Sequence, residues 1–379
     1  MTISRRSLLL GPAALVACGR RKATGFQGYC FVANQEGRTL AVVDLTNFRV
    51  RRQIPLDAAP SFVLPHPSRP KALVLAPAAG TVYEIDAASL SVSRHARAGA
   101  AAVAMRLAPD KSALWVLYRD PAALVELPLE TLRPARRIRL AAPPGDFDLS
   151  LSRDNLAAIA SPQDRTIVVA SLAQAAIVRT IAAGAEPGLV RFRSDGLQLV
   201  AANRQERSLT IFDVPTGKTV VRLPLPLEPA NLCVNPDGGQ MFITGPGMDA
   251  VVIYFLYNTE IWQTVLAGRA PGAMATTNTS PPYLLVANPD TNSITVLDLL
   301  SLKLIALVEV GQHPGNILVT PDQQYALVLN QQSGDLAVIR LYSLGAAQSE
   351  RVRRWKSAPL FTLIPVGERP VSAAVVSWT

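Results

Sequence analysis

The chain is patterned in short apolar runs of six residues separated by polar turns. "YCFVAN" begins at Tyr29, "ALVLAP" at Ala72, "ALWVLY" at Ala113 and "LAAIAS" at Leu156. "QLVAAN" follows at Gln198, "MFITGP" at Met241, "YLLVAN" at Tyr283 and "YALVLN" at Tyr325. Successive starts are 43, 41, 43, 42, 43, 42 and 42 residues apart. A continuous apolar run of this length is what a strand buried on both faces requires. After each run comes a polar turn, then an alternating strand such as "TLAVVDL", "TVYEID", "SLTIFDV" or "SITVLDL". A second turn leads to a further strand such as "RRQIPL", "VVRLPL" or "LIALVEVG". A corner containing proline then opens a fourth, such as "PGLVRFRSDG", "PANLCVNPDG" or "PGNILVTPDQ". Four short strands in a repeat of roughly 40 residues predict the blade of a β-propeller.

We name the strands of a blade A to D from the centre outward. The chain enters at Tyr29 with B, C and D but no preceding A. Inner strands are predicted near Ser61, Ala102, Asp146, Gly188, Ala230, Gly272, Gly315 and Val371. The fold class is therefore all-β, a single propeller of eight four-stranded antiparallel blades over residues 28–379, with seven blades as the alternative count. The last segment, "VSAAVVSWT", supplies the A strand that the first blade lacks, so that no long free edge remains. On this count Cys30 and Cys233 fall four blades apart, across the axis. A disulfide spans only about 4.4–6.8 Å between Cα atoms, so the pair reads as two small buried hydrophobes.

The segment "YLLVANPDTNSITVLDLLSLKLIALVEVGQHPGNILVTPD", Tyr283 to Asp322, resembles the YVTN-type, WD40-like propeller repeat. The resemblance is strong in the repeats at Gln198 and Tyr283 and looser at Ala72, Ala113 and Leu156. It implies the fold and leaves the function open.

The first residues follow another pattern. "MTISRRSLLLGPAALVACG" places Arg5 and Arg6 before an apolar run too short to span a bilayer. Its Leu15-Val16-Ala17-Cys18 resembles a bacterial lipobox, and Ser4-Arg5-Arg6 before leucines resembles a twin-arginine export signal. These resemblances imply a signal peptide over 1–17, an acylated Cys18 and a linker over 18–27. They imply an exported, lipid-anchored protein on the periplasmic side of a bacterial membrane.

Composition sharpens this picture only in places. The formal charge is +9, and without Arg5 and Arg6 there remain 35 basic and 28 acidic residues, a net +7. That excess suits a body resting near anionic lipid. No nucleic-acid motif accompanies it. The blade beginning near Gly315 carries the insertion "YSLGAAQSERVRRWKSAP". There Arg351, Arg353, Arg354 and Lys356 surround Trp355, a composition suited to lipid headgroups or an acidic partner.

Two sets of polar residues repeat with the blades and read as turn chemistry. Asp44, Asp86, Asp213 and Asp298 end C strands, and Asp110, Asp195, Asp237 and Asp322 lie in A–B turns. Each is placed to accept backbone N–H bonds. Asn34, Asn203, Asn288 and Asn330 end B strands, where a left-handed Asn closes a turn.

Other polar residues do not repeat. Strand direction alternates, so D–A corners and B–C loops share one face, and A–B and C–D turns share the other. The corners carry Glu186, Glu228, His313 and Arg369 just before proline, with Arg269 two residues before Pro271. The B–C loops add Arg119, Asp120, Asp164, Arg204, Asp249 and Asp290. Scaffold chemistry repeats and site chemistry need not, so this mixed-charge corner face is the candidate binding surface. His66 falls on the opposite face. No zinc spacing, haem-attachment CxxCH, nucleophile elbow or phosphate loop is present.

The reading that follows is a monomeric, non-enzymatic binding or scaffold module with no cofactor and no metal. Its partner would be an envelope protein, peptide or glycan, with the membrane held through Cys18. An alternative arises because eight-bladed rings resemble haem d1 domains, which implies a haem d1-type tetrapyrrole with His313 as axial ligand. A propeller lactonase-like hydrolase ranks last, because its metal and acid–base residues find no match here.

Overall fold

Each of the eight apolar hexamers forms the B strand of a four-stranded antiparallel sheet, and the eight sheets close into a propeller. The computed structural model describes residues 25–152, 155–344 and 358–378. The leader with Cys18, and the part of the insertion holding Arg351, Arg353, Arg354, Trp355 and Lys356, lie outside the described residues.

The hexamers are apolar throughout because each has a neighbour on both faces. Cys30 and Val32 pack towards Tyr325, Leu327 and Leu329 of the eighth blade. Phe31 and Ala33 pack towards Ala72, Val74 and Ala76 of the second. Full burial of a Val, Leu or Phe side chain contributes roughly 1.5–3 kcal/mol, and the same arrangement recurs between the other blades. Outer strands bury one face only. Thr81–Asp86 of blade 2 is almost wholly buried, whereas its outer strand Ser91–Arg97 is largely exposed.

The ring closes as the strand count requires. Pro370–Ser377 pairs antiparallel with Gly28–Asn34, from Gly28 opposite Ser377 to Asn34 opposite Pro370. Eight blades are present, not seven. Cys30 lies in blade 1 and Cys233 on the inner strand of blade 6, so they are three blades apart rather than four. Both thiols are free, Cys30 buried and Cys233 half-buried. Burial pushes both thiols up, Cys233 to about 11.

The turn aspartates act as the sequence predicts. Asp86 Oδ1 accepts from the N–H groups of Ala88 and Ser89, and Asp298 Oδ1 from those of Leu300 and Ser301. The B-strand asparagines do not. Asn34, Asn203, Asn288 and Asn330 are fully buried. The left-handed residue of each B–C turn comes four positions later, at Arg38, Arg207, Asn292 and Gly334. Two of the carboxamides bond to the corner entering their own blade, whereas Asn203 Nδ2 donates to Ser208 and Thr210, and Asn330 Nδ2 to Asp335, on the next strand. Asn34 Nδ2 donates to Val366 O at 2.7 Å, and Gly268 N donates to Asn288 Oδ1 at 3.1 Å. Glycine is needed opposite: a Cβ on Gly184, Gly268, Gly311 or Gly367 would overlap the Asn side chain of its blade.

Arginines on the outer strands, or just before them, make a second tie between blades. Arg52 Nη1 donates to Ser89 O, Arg94 to Leu129 O and Glu130 O, and Arg136 to Leu172 O and Ala173 O. In each case the guanidinium reaches the C–D turn of the following blade. Arg94 also meets the fully buried Glu84 at 2.6 Å, with Lys71 at 2.6 Å on the other carboxylate oxygen. In seven blades the C–D pairing shifts register once, by a bulge on the outer strand.

Glu84 generates a pH prediction. Burial alone would raise its pKa, but hydrogen bonds from Arg94, Lys71 and Ser93 outweigh burial and hold it down at about 2. A carboxylate depressed in the folded state stabilises above its unfolded pKa, and the contribution fades as pH falls towards 2. Glu84→Gln should lower stability by about 3 kcal/mol at pH 7 in urea unfolding. The gap from wild type should narrow by more than half at pH 3.

Candidate functional site

Four of the eight D–A corners, those entering blades 1, 5, 7 and 8, share a left-handed backbone residue and present side chains which do not repeat. Glu186, His313 and Arg369 each precede a proline and adopt left-handed backbone, with φ of 56°, 55° and 50°. This conformation costs a non-glycine residue on the order of 1 kcal/mol, and proline further restricts the residue before it. The corner is held by the first residue of the adjoining B–C loop. Arg204 N donates to Glu186 O at 3.0 Å, Gln331 N to His313 O at 2.9 Å and Gln35 N to Arg369 O at 3.0 Å. Ala270 takes the same conformation in blade 7, which leaves Arg269 exposed one residue earlier. Glu228 departs from the pattern: its φ is not left-handed, and its N–H donates to Pro246 O at 2.8 Å.

Two hollows open on this face, half a turn apart around the ring. The first lies between blades 8 and 1, has a volume of about 660 Å³ and is lined by His313, Arg369, Glu36, Glu368 and Gln331. Arg369 Nη1 sits 3.1 Å from Glu36 Oε1, and both side chains are more than half exposed. Screening leaves such a pair little stabilising effect. His313 is half-buried at the rim, and its backbone N–H donates to Asn292 Oδ1 at 2.9 Å. The second hollow, about 440 Å³, spans blades 3 to 5 and is lined by Arg119, Pro144, Pro162, Glu186, Gly188 and Arg204.

The predicted residues therefore divide. His313 and Arg369 meet in one hollow; Arg119, Glu186 and Arg204 meet in the other. Glu228 approaches Arg204, at 3.7 Å. Asp120, Asp164 and Arg269 are exposed and line neither hollow. His66 lies on the turn face as predicted, its Nδ1 accepting from Ser68 N. Burial lowers its pKa.

A further cluster escaped the sequence reading. On the inner strands of blades 3, 4 and 5, Arg106, Asp146, Asp148 and Arg191 form one ionic network. Arg191 Nη1 lies 2.6 Å from Asp146 Oδ2, and Arg106 lies 3.6 Å from both Asp146 and Asp148. Arg106 Nε also donates to Phe147 O at 2.6 Å. The carboxylates accept backbone bonds from Val190 N and Phe192 N. Burial pushes Asp148 up in pKa against the pull of Arg106 and Arg191. Burial also holds Arg106 down, aided by the nearby positive charge of Arg191. The available signal was "GDFDLS", an inner strand with two acids at alternate positions where other blades are apolar.

Among the described residues, no three His, Cys, Asp or Glu side chains form a group that could hold a metal ion. The inner network generates a stability prediction. Arg191→Leu should lower stability by roughly 3 kcal/mol, because Asp146 is left buried and short of a counter-charge. Arg191→Leu with Asp146→Asn should cost less than the two single changes added, by roughly 1–2 kcal/mol in unfolding midpoints converted to free energy.

No family model matches the chain, and no curated protein does. Solved structures do match it. Dihydro-haem d1 dehydrogenase NirN in complex with DHE is similar with a TM-score of 0.74 and 16% identity, over 93% of this chain and 76% of that one. Hydrazine synthase of Kuenenia stuttgartiensis is similar at 0.59 and 19% identity, over 74% and 95%. A functionally unknown protein from Desulfotomaculum acetoxidans is similar at 0.59 and 11% identity, over 92% and 99%. Identities this low establish a shared propeller fold and no shared chemistry.

Proposed function

We propose that this protein is a non-enzymatic binding module that recognises an envelope protein, peptide or glycan through its corner face. One observation carries the reading. A left-handed backbone device shared by four of the corners holds side chains that do not repeat, and at two adjacent corners it brings His313 and Arg369 into one hollow. Left-handed backbone kept at Glu186, His313 and Arg369 holds these side chains at the rim, and binding sites commonly retain such strain. In this reading the chain is exported as a monomer and tethered on the periplasmic side through acylated Cys18.

The immobilised protein should capture a partner from detergent-solubilised envelope. His313→Ala with Arg369→Ala should reduce capture at least tenfold, whereas Lys111→Ala with Lys218→Ala on the turn face should leave it unchanged. Undiminished capture by the first variant, shown to be folded by its thermal transition, would overturn the reading.

A second reading draws on the NirN likeness and on the place of His313. A haem d1-type tetrapyrrole would find one imidazole ligand in His313 and one guanidinium for a ring carboxylate in Arg369, both on the lining of the first hollow. Bound there, the group would supply visible absorbance and iron-centred chemistry. Haem added to the purified protein should then give a shifted absorbance band that His313→Ala abolishes. The absence of any spectral change would end this reading.

A further inference from the structure

The second hollow brings together two arginines that have, among the described residues, no carboxylate oxygen within hydrogen-bond distance. Deeper on the inner strands, Arg191 has a carboxylate oxygen at 2.6 Å and Arg106 has two at 3.6 Å. At the mouth, Arg119 makes one bond among the described residues, from Nε to Pro144 O at 3.1 Å. The carboxylate near Arg204 is that of Glu228, and at 3.7 Å it lies beyond hydrogen-bond distance. Both arginines line the same hollow. One bond orients Arg119 and leaves its two Nη groups as donors, a planar fork that matches a carboxylate.

The surroundings fit the rest of such a ligand. Arg204 lies along Gly188, where a Cβ would come within 2.7 Å of Arg204 Cδ. Gly145 makes the same allowance for Pro162 Cγ at 2.7 Å. Pro143, Pro144 and Pro162 provide an apolar wall. Asp146, which directly follows Gly145 of the lining, is already paired with Arg191 and lies 3.6 Å from Arg106, so its charge is not left over for Arg119 or Arg204. Glu186 on the lining is exposed, and it disfavours a second negative charge on the ligand.

We propose that this hollow binds a small organic monocarboxylate with an apolar body, its carboxylate held between Arg119 and Arg204 and its body against the prolines. The proposal rests on the corner-face reading and gives its second hollow a ligand class. A volume of about 440 Å³ lies within the range of small-molecule sites.

A matched pair of probes tests it, 1-naphthoate and 1-naphthamide, which share a body and differ in charge. Saturation-transfer NMR at low salt should show naphthoate bound about tenfold more tightly by the full-length protein. Arg119→Gln and Arg204→Gln should each reduce the preference, and together they should abolish it. Arg369→Gln in the other hollow should leave it intact. Far-ultraviolet circular dichroism and a cooperative thermal transition establish that each variant is folded. Equal affinity for the two probes would overturn the proposal, and so would a preference that survives the double change. Partner capture through His313 and Arg369 is read at the other hollow, so either result would leave the corner-face reading standing or falling on its own assay.

Discussion

The structure depends on one antiparallel pairing, that of Pro370–Ser377 with Gly28–Asn34. It joins the two ends of the described chain inside a single blade. Each other blade is made from one continuous stretch of sequence and could form locally. Blade 1 cannot, so the ring is complete only when the last strand arrives. Until then Cys30, Val32, Phe31 and Ala33 lack a settled pair of neighbours, and two inter-blade cores stay open. Asn34 and the arginines Arg52, Arg94 and Arg136 reinforce that closed state, because each joins one blade to the next.

Much of this was legible in the sequence, for physical reasons. A strand buried on both faces must be apolar at every position, so the hexamers announce themselves without alternation. Their spacing counts the blades. The turn aspartates were equally readable, since their hydrogen bonds are local. The asparagines were misread because their side chains turn inward, to the neighbouring strand or to the corner, and for Asn34 that partner, Val366, is distant in sequence. Local turn rules gave them a left-handed role that Arg38, Arg207 and Asn292 take instead.

The candidate site was legible only in part. Strand direction placed the charged corners on one face, and the corner backbone there is indeed repeated. Sequence could not tell which of those residues share a hollow, since that depends on side-chain directions across blades. It separated neither His313 with Arg369 from Arg119 with Arg204, nor the lone Asp120 and Asp164. The inner ionic network was missed for a related reason. Arg106, Asp146, Asp148 and Arg191 come from three different blades, and no spacing rule joins them.

The bulges on the outer strands bear on how the molecule behaves beside its own copies. Seven of eight peripheral edges carry one. Those edges also expose large apolar side chains, among them Trp262, Leu304 and Leu307. A flat rim of that composition would recruit a foreign strand and grow into a sheet between molecules. An extra residue coils the rim and spoils the spacing of its donors and acceptors, so a crowded compartment can hold many such discs without their fusing.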